Sequence, residues 1–436
     1  MAPDPRPDDQ VPELTDTIFA LSSGAPPAAI GVVRISGPRA DEALQELAGT
    51  LPEPRRAQLA PLSRNGEVLD KALIIRFPGP HSATGEDVAE LHLHGGRSVV
   101  AAVLAALGDM AGLRLAAPGE FTRRAFANGR IDLAEAEGLA DLLAAETQSQ
   151  RRAALALAGG ALSRRVEAWQ VRLLVLAAQL EAAIDFGDED DVEELPAAHR
   201  QELQALATEI DALLRRPPAE RLRDGIRVSI AGPPNAGKST LLNALVGRDA
   251  AITSPVPGTT RDLIEAPTAI GGTPFLFVDT AGIRATGDTV EAIGVGRARE
   301  SVEAADLILW LGSPEESPDP ARAILVHPKV DSIPAAAGSD IAVSAVTGEG
   351  LERLVELLVE RAQSLLPAAG EVATNARHRA ALADCLQALQ EAGNFADPIL
   401  GAESLRQARS ALDRVTGRAG VEDMLDALFG RFCIGK

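Results

Sequence analysis

Lysine is nearly missing from this chain. Only Lys71, Lys238, Lys329 and Lys436 occur, so arginine supplies 38 of the 42 basic residues. Where arginine has taken nearly every basic position, a retained lysine marks a place that needs a compact ammonium. Cysteine is scarcer still. Cys385 and Cys433 are too few for a disulfide scaffold, and they point to a reducing, cytoplasmic setting. No apolar stretch is long enough to span a bilayer, and the start of the chain (Met1-Ala2-Pro3-Asp4-Pro5) is acidic and Pro-rich rather than signal-like, so no membrane association is expected. Excess positive charge is also absent. A net charge of −20 argues against broad, nonspecific binding to nucleic acid, although it leaves room for a local basic face.

What is present is enough chain for two to four domains, each with its own core. Hydrophobic content of 46% and charged content of 24% are ordinary for globular proteins. Residues 1–15 are polar and Pro-rich, and disorder is expected there. From 16 to 128, apolar runs (Ile30–Ile35, Ala72–Phe77, Val88–Leu93) alternate with amphipathic stretches (Ala40–Leu47, Ser98–Leu107), which predicts an α+β domain. Residues 129–220 are rich in Ala, Leu, Glu and Arg at helical spacing. Their one interruption, Phe186-Gly187-Asp188-Glu189-Asp190-Asp191, reads as a solvated acidic turn, with a metal site as the alternative. Strands and helices alternate over 221–370, as in an open α/β sheet, and 371–436 is helical again. The α/β unit therefore looks inserted between two helical segments that could pack as one discontinuous bundle.

The strongest motif opens that insert. Gly232-Pro233-Pro234-Asn235-Ala236-Gly237-Lys238-Ser239-Thr240 follows the apolar run Ile226–Ala231 and leads into a helical run, the context a phosphate-binding loop needs. Glycines let backbone N–H groups curl around a pyrophosphate, and the helix N-terminus adds its positive dipole end. Lys238 would reach the β/γ phosphates and the Ser239 hydroxyl would ligate Mg²⁺. Downstream come Gly258-Thr259-Thr260-Arg261-Asp262 and Asp279-Thr280-Ala281-Gly282, then Pro328-Lys329-Val330-Asp331 and Ser344-Ala345. Four motifs in this order predict a GTPase of the Ras-like type. Thr260 is a candidate Mg²⁺ ligand from a mobile switch. Asp331 can accept two hydrogen bonds from guanine N1 and N2, and the Lys329 stem can lie over the base.

Two positions depart from that type. Guanine-binding loops of this kind read Asn-Lys-x-Asp, and here Pro328 replaces the Asn. Proline has no side-chain donor to bond guanine N7 or to tie the loop to the phosphate loop. GTP specificity is expected to survive through Asp331, with weakened affinity. Ras-like enzymes also orient the attacking water with a Gln after Asp-x-x-Gly, where this chain has Ile283. Glu291, in Val290-Glu291-Ala292-Ile293-Gly294, is close enough in sequence to take over. A solvent-facing Glu at a helix start is the other reading, and the residues alone leave both open.

With Gly31-Val32-Val33-Arg34-Ile35-Ser36-Gly37, Thr84-Gly85-Glu86-Asp87, His94-Gly95-Gly96, Pro118-Gly119-Glu120-Phe121 and the terminal Phe432-Cys433-Ile434-Gly435-Lys436, the chain closely resembles the MnmE (TrmE) family of bacterial tRNA-modifying GTPases. The resemblance runs from about Asp16 to the last residue. It implies a multidomain protein: an α+β N-terminal domain similar to tetrahydrofolate-binding aminomethyltransferase domains, which also makes a homodimer, a discontinuous all-α domain, and an inserted Ras-like G domain. It implies that Arg34, Glu90, Arg130 and Lys436 line a folate pocket, although the family commonly carries Lys where Arg130 stands. Without it, Arg34 and Glu90 read as salt-bridge partners. It further implies GTP hydrolysis assisted by K⁺, with Asn235, Ser254, Val256 and Thr259 as ligands in the loop Ser254-Pro255-Val256-Pro257-Gly258-Thr259-Thr260. Glu291 matches the family residue that orients the hydrolytic water. Cys433 is implicated in the modification chemistry, against a plain reading as a small buried residue in a helix. His92 and His94 share a strand face and read as structural.

The expected function is therefore a GTPase that works with tRNA and an FAD-dependent partner resembling MnmG, in a heterotetramer or larger complex. It would install a carboxymethylaminomethyl or aminomethyl group at C5 of the wobble uridine (U34), with 5,10-methylene-tetrahydrofolate as carbon donor. The rivals are an RNA-binding ribosome-assembly GTPase, which the long helical tail and the charge of −20 disfavour, and a folate-dependent aminomethyltransferase with a regulatory G domain.

Overall fold

The structure, a computed structural model, describes residues 16–185, 197–248, 264–279, 299–334, 338–368, 371–394, 397–419, 425, 428–430 and 432–436. The acidic stretch Phe186–Asp191 lies outside them. The chain divides into two compact units, Met1–Ala140 with Thr416–Lys436, and Asp141–Val415.

In the first unit the elements are β1 (Thr17–Leu21), β2 (Ile30–Ser36), α1 (Ala40–Ala48), β3 (Gln58–Arg64), β4 (Glu67–Phe77), β5 (Val88–His94), α2 (Arg97–Gly108), β6 (Leu113–Leu115) and α3 (Glu120–Ala127), followed by the start of α4 (Leu133–Ala144). Sheet order is β3-β4-β5-β2-β1-β6, antiparallel except for the β1–β6 pair. Side chains alternate across a strand, so Val33 and Ile35 of β2, Leu91 and Leu93 of β5, and Ala72 and Ile74 of β4 fall on one face. That face is buried with Leu44 and Leu47 of α1 and Val103 and Leu107 of α2. Each fully buried Leu or Ile contributes about 1.5–3 kcal/mol. The opposite register of β2 and β5 carries Val32, Arg34, Glu90 and His92, paired across the strands as Val32 with His92 and Arg34 with Glu90. The three prominent apolar runs of this region are β2, β4 and β5. β1 holds a further, shorter apolar run, Ile18-Phe19-Ala20-Leu21, whereas β3 and the three-residue β6 carry no comparable signal, and pairing with neighbours makes them strands.

A charged network holds the end of this unit together. Arg124 on α3 is 1% exposed. It donates to the Asp16 backbone oxygen and carboxylate, to Glu86 and to Glu120. Arg114 donates to Asp16 and Glu120, and Glu86 also accepts from the Ser36 hydroxyl at 2.7 Å. The last residues of the chain pack here too: Leu428, Phe429 and Phe432 form a cluster with Leu133 and Ala136.

The second unit has helices on both sides of an α/β insert in the sequence. Before it come α5 (Gln148–Ala158), α6 (Ala161–Asp185), α7 (Ala197–Leu214) and the short α8 (Glu220–Arg223). The insert contains β7 (Ile226–Ala231), α9 (Lys238–Arg248), β8 (Ile264–Ile270), β9 (Thr273–Asp279), β10 (Leu307–Trp310), β11 (Ala323–Pro328), β12 (Ile341–Val343) and α10 (Leu351–Gln363). Then come α11 (Ala376–Asn394) and α12 (Pro398–Thr416). The helices on either side of the insert pack together. α7 buries Leu203, Leu206, Ile210 and Leu213, and α11 buries Ala381, Leu382, Cys385 and Leu389. Arg379 of α11 donates to the backbone oxygens of Leu214 and Arg216, carbonyls that the end of α7 cannot satisfy by itself. Gln170 of α6 reaches Asp413 of α12 at 2.7 Å.

Sheet order in the insert is β12-β11-β10-β7-β9-β8, parallel throughout except for the β8–β9 hairpin. A parallel sheet is covered on both faces, which is why its strands read as continuous apolar runs. Strand β7 lies inside the sheet, and the loops that follow β7, β11 and β12 gather at one edge, where open α/β sheets bind ligands. Register confirms the neighbourhood: Ile230 of β7 pairs with Asp279 of β9, and Val343 of β12 with Pro328 of β11. At the other end of the β8–β9 hairpin, the Gly272 oxygen accepts from the Ser149 hydroxyl of α5 at 2.9 Å.

Candidate functional site

The loop between β7 and α9 is shaped by three left-handed residues. Gly232 has φ +148, and a Cβ there would lie 3.1 Å from Leu311, so the close approach needs glycine. Asn235 (φ +62) and Gly237 (φ +100) turn the chain the same way. A left-handed Asn is tolerated where a β-branched residue is not. The helix starts at Lys238, leaving the first N–H groups of α9 directed at the loop. The Lys238 ammonium folds back along it, donating to the backbone oxygens of Gly232 and Pro233 at 2.9 Å each. Ser239 and Thr240 are exposed on the first turn. This cradle of N–H groups and one ammonium is built for a polyphosphate. The Ser239 hydroxyl on that first turn is an oxygen donor that suits a hard cation such as Mg²⁺.

A cavity of about 170 Å³ adjoins the loop. Ala236, Pro328, Lys329, Asp331, Ala345 and Val346 are among its walls. Asp331 is exposed. Buried Ser344 shapes the turn after β12: its backbone N–H donates to Glu349, its backbone oxygen accepts from Gly348, and its hydroxyl accepts from Thr347 N–H. Lys329 also has positive φ, +60. Its ammonium donates to the Asn235 backbone oxygen at 2.7 Å, tying the two loops together. Asn235, Ala236, Gly237, Thr240, Lys329, Asp331 and Ala345 are thus brought to one place. Ser254, Pro255, Val256, Pro257, Gly258, Thr259, Thr260, Thr280, Ala281, Gly282 and Glu291 lie outside the described residues.

In the first unit, Arg34 donates to Glu90 from Nε at 3.0 Å and Nη2 at 2.8 Å. Its guanidinium stands 5.7 Å from the Phe121 ring centroid. Glu90 also lies 3.3 Å from His92 Nε2. Arg130 is exposed, with its stem beside Gly85, where a Cβ would sit 3.2 Å from Arg130 Cγ. The chain end docks on β1: Ser22 donates to the Gly435 oxygen at 2.8 Å, and Gly435 (φ +98) sits so close that a Cβ would lie 2.2 Å from the Leu21 oxygen. That docking sets half-buried Lys436 in the same unit as Arg34 and Glu90. Cys433 is exposed and outside any helix, whereas Cys385 is buried. Burial, with Asp384 nearby, pushes the Cys385 thiol up to about 12, so it stays protonated at neutral pH.

Three arrangements were not foreseen. The Lys329 to Asn235 bond closes one loop on the other across 94 residues, and the rarity of lysine was its only sign. The Arg124 network draws on motif residues Glu86 and Glu120 that had no assigned role. Third, His94 Nδ1 lies 2.7 Å from Asp70 Oδ1. Burial alone would raise the Asp70 carboxyl, but the His94 ring and the N–H groups of His94 and Lys71 outweigh it and hold it below the usual carboxylate range.

Comparison with known proteins agrees with this layout. Residues 17–130 match the family model described as GTP-binding protein TrmE N-terminus, and residues 133–433 match the MnmE helical domain. The tRNA modification GTPase MnmE of Rhizorhabdus wittichii is 59% identical over 442 aligned positions, covering 100% of both chains. That of Erythrobacter litoralis is 57% identical, covering 97% of this chain and 100% of its own. Among solved structures, the G domain of the T. maritima FeoB iron transporter covers 32% of this chain and 99% of its own at 28% identity, with a TM-score of 0.25, too slight a likeness to bear on function. On the two family models and the full-length identities, the chain belongs to the MnmE family of tRNA modification GTPases.

Proposed function

We propose that this GTPase acts in tRNA modification as a K⁺-assisted switch. As a homodimer, with an FAD-dependent partner resembling MnmG, it adds an aminomethyl-type group to C5 of the wobble uridine. The observation that carries this reading is the full-length match, N-terminal and helical parts together, to tRNA modification GTPases. The site residues are consistent with it. Exposed Asn235 presents a side-chain oxygen at the tip of the phosphate loop, a donor that suits K⁺, and Ser239 suits Mg²⁺. When bound, the two cations neutralise negative charge that develops on the phosphoryl oxygens. Lys238 holds the phosphates in place and Asp331 selects guanine. The β8–β9 hairpin runs from just after the Thr260 segment to Asp279, and its far turn is bonded to α5 through Ser149. That contact is the route by which switch movement reaches the helices.

The carbon chemistry belongs to the N-terminal unit, with Arg34 and Glu90 offering a cation and a carboxylate to a tetrahydrofolate derivative, and Arg130 and Lys436 completing the pocket. When bound, that derivative supplies the one-carbon unit. Cys433, exposed in the docked terminus, would take part. Gly435→Ala tests the pocket without touching the G domain. The new methyl group would collide with the Leu21 carbonyl and displace Lys436. Tetrahydrofolate binding, followed by calorimetry, is expected to weaken about tenfold, the loss of one charge-assisted contact, while kcat for GTP is unchanged.

The K⁺ assignment is tested by GTPase rate at equal ionic strength in KCl and NaCl. Loss of one preorganised stabiliser of transition-state charge costs about 10²- to 10³-fold, and a drop of about 10²-fold in NaCl is expected. Equal rates would remove the cation from the mechanism. Nucleoside analysis of tRNA from a deletion strain tests the wider reading. Intact wobble modification with defective ribosome assembly would replace it.

A further inference from the structure

We infer that the base pocket of this GTPase does not read position 7 of the purine, so that it accepts guanine nucleotides altered there as readily as GTP. The inference rests on the assignment of the cavity beside Lys329 and Asp331 to the guanine base. In a loop of the Asn-Lys-x-Asp kind the Asn side chain serves two purposes, donating to guanine N7 and holding the base loop against the phosphate loop. The structure separates them. Pro328 is the last residue of β11, paired in register with Val343 of β12. Its half-buried ring is one wall of the cavity. Proline carries neither a side-chain donor nor a backbone N–H, so this position has nothing to offer N7, which is only an acceptor.

The tethering purpose is met differently. Lys329 Nζ donates to the Asn235 backbone oxygen at 2.7 Å. Both residues are held at positive φ, +60 and +62, so that the two loops face each other. The Val330 N–H donates to the Val343 oxygen at 3.2 Å and fixes the loop to β12. With the loop anchored in this way, Asp331 keeps its place for the Watson–Crick edge, and the pocket loses base recognition only at N7. A lone pair set against a proline ring gives up water and gains no donor. GTP therefore has no advantage at that atom over an analogue with C–H in its place.

Dissociation constants and kcat/KM for GTP and 7-deaza-GTP on the full-length protein decide the matter. Where a buried donor serves N7, removing the acceptor costs roughly 5- to 150-fold. Here 7-deaza-GTP is expected to bind within about twofold of GTP or tighter, and Pro328→Asn is expected to make GTP at least about fivefold the better ligand. A wild-type preference for GTP of fivefold or more would overturn the proposal, because a donor must then reach N7. A Pro328→Asn protein that still binds the two nucleotides equally would overturn it as well. Asp331→Asn separates this proposal from the reading beneath it. That variant should exchange GTP for xanthosine triphosphate, whose 2-oxo group accepts where guanine donates. If its guanine preference is unchanged, the base does not lie in this cavity and both readings fall together.

Discussion

Replacing Glu291 with alanine is expected to lower kcat for GTP by about 10²- to 10³-fold and to leave KM within about threefold. Hydrolysis needs a polar group that holds the attacking water in line with the γ-phosphate. The position after Asp279-Thr280-Ala281-Gly282, where a Gln would do this, is Ile283, an aliphatic side chain that cannot hydrogen-bond. Glu291 is the nearby carboxylate that the family resemblance assigns to the task. A group that acts on the water and not on the nucleotide changes the transition state and hardly the ground state, so the loss should fall on kcat. Single-turnover hydrolysis, with nucleotide affinity measured separately, makes the distinction. A kcat within threefold of wild type would return Glu291 to an ordinary surface role.

Arg124→Met is expected to destabilise the N-terminal unit by about 3–5 kcal/mol at neutral pH, because it takes the buried cation from Asp16, Glu86 and Glu120 and leaves Arg114 to offset the charge of Asp16 and Glu120. The Met side chain fills most of the volume, so lost charge pairing dominates over lost packing. Burial alone would raise the Asp16 and Glu120 carboxyls. Hydrogen bonds and charge from Arg114 and Arg124, with the Ala117 N–H at Glu120, outweigh it and hold both below the usual range. Their folded-state values lie below those of the unfolded chain, about 4. The network's stabilisation is therefore fully present above that pH and is lost as pH falls through the folded-state values. In Arg124→Met those carboxyls titrate higher, so the deficit relative to wild type should be largest near pH 7 and shrink on acidification below about pH 4. Hydrogen exchange of amides in β1 and α3, read across that range, measures it. A deficit independent of pH would mean that packing is lost and not charge pairing.

The G-domain insert was the most legible part of the chain. Its strands are buried on both faces, and they show as the runs Ile226–Ala231 and Phe275–Val278 with a glycine-rich loop between strand and helix. The three main strands of the N-terminal sheet were legible for a similar reason, since alternation or a continuous apolar run marks them. Strands β1, β3 and β6 were not. β3 mixes polar and apolar residues around Pro61 and β6 has three residues, so cross-strand pairing decides their state; β1 does carry the apolar run Ile18-Phe19-Ala20-Leu21, but it is only five residues long. Among the site residues, Lys238 and Asp331 stood out by motif alone. The reach of Lys329 to Asn235, and of Arg124 to Asp16 across 108 residues, had no local trace.

By itself, then, the sequence determined the chemistry of the parts. It specified a phosphate loop, a guanine loop without its asparagine, a terminal Cys-Ile-Gly-Lys and a chain poor in lysine. These are readable because local backbone demands, such as left-handed turns and helix starts, restrict residue type at fixed spacing. Only the tertiary structure decided which distant parts meet. It set Gly435 against Leu21, joined α7 to α11 across the insert, and gave the tether of the guanine loop to Lys329. Contacts of that kind depend on the packing of whole elements. The energy is shared among many side chains, and no single stretch of sequence records it.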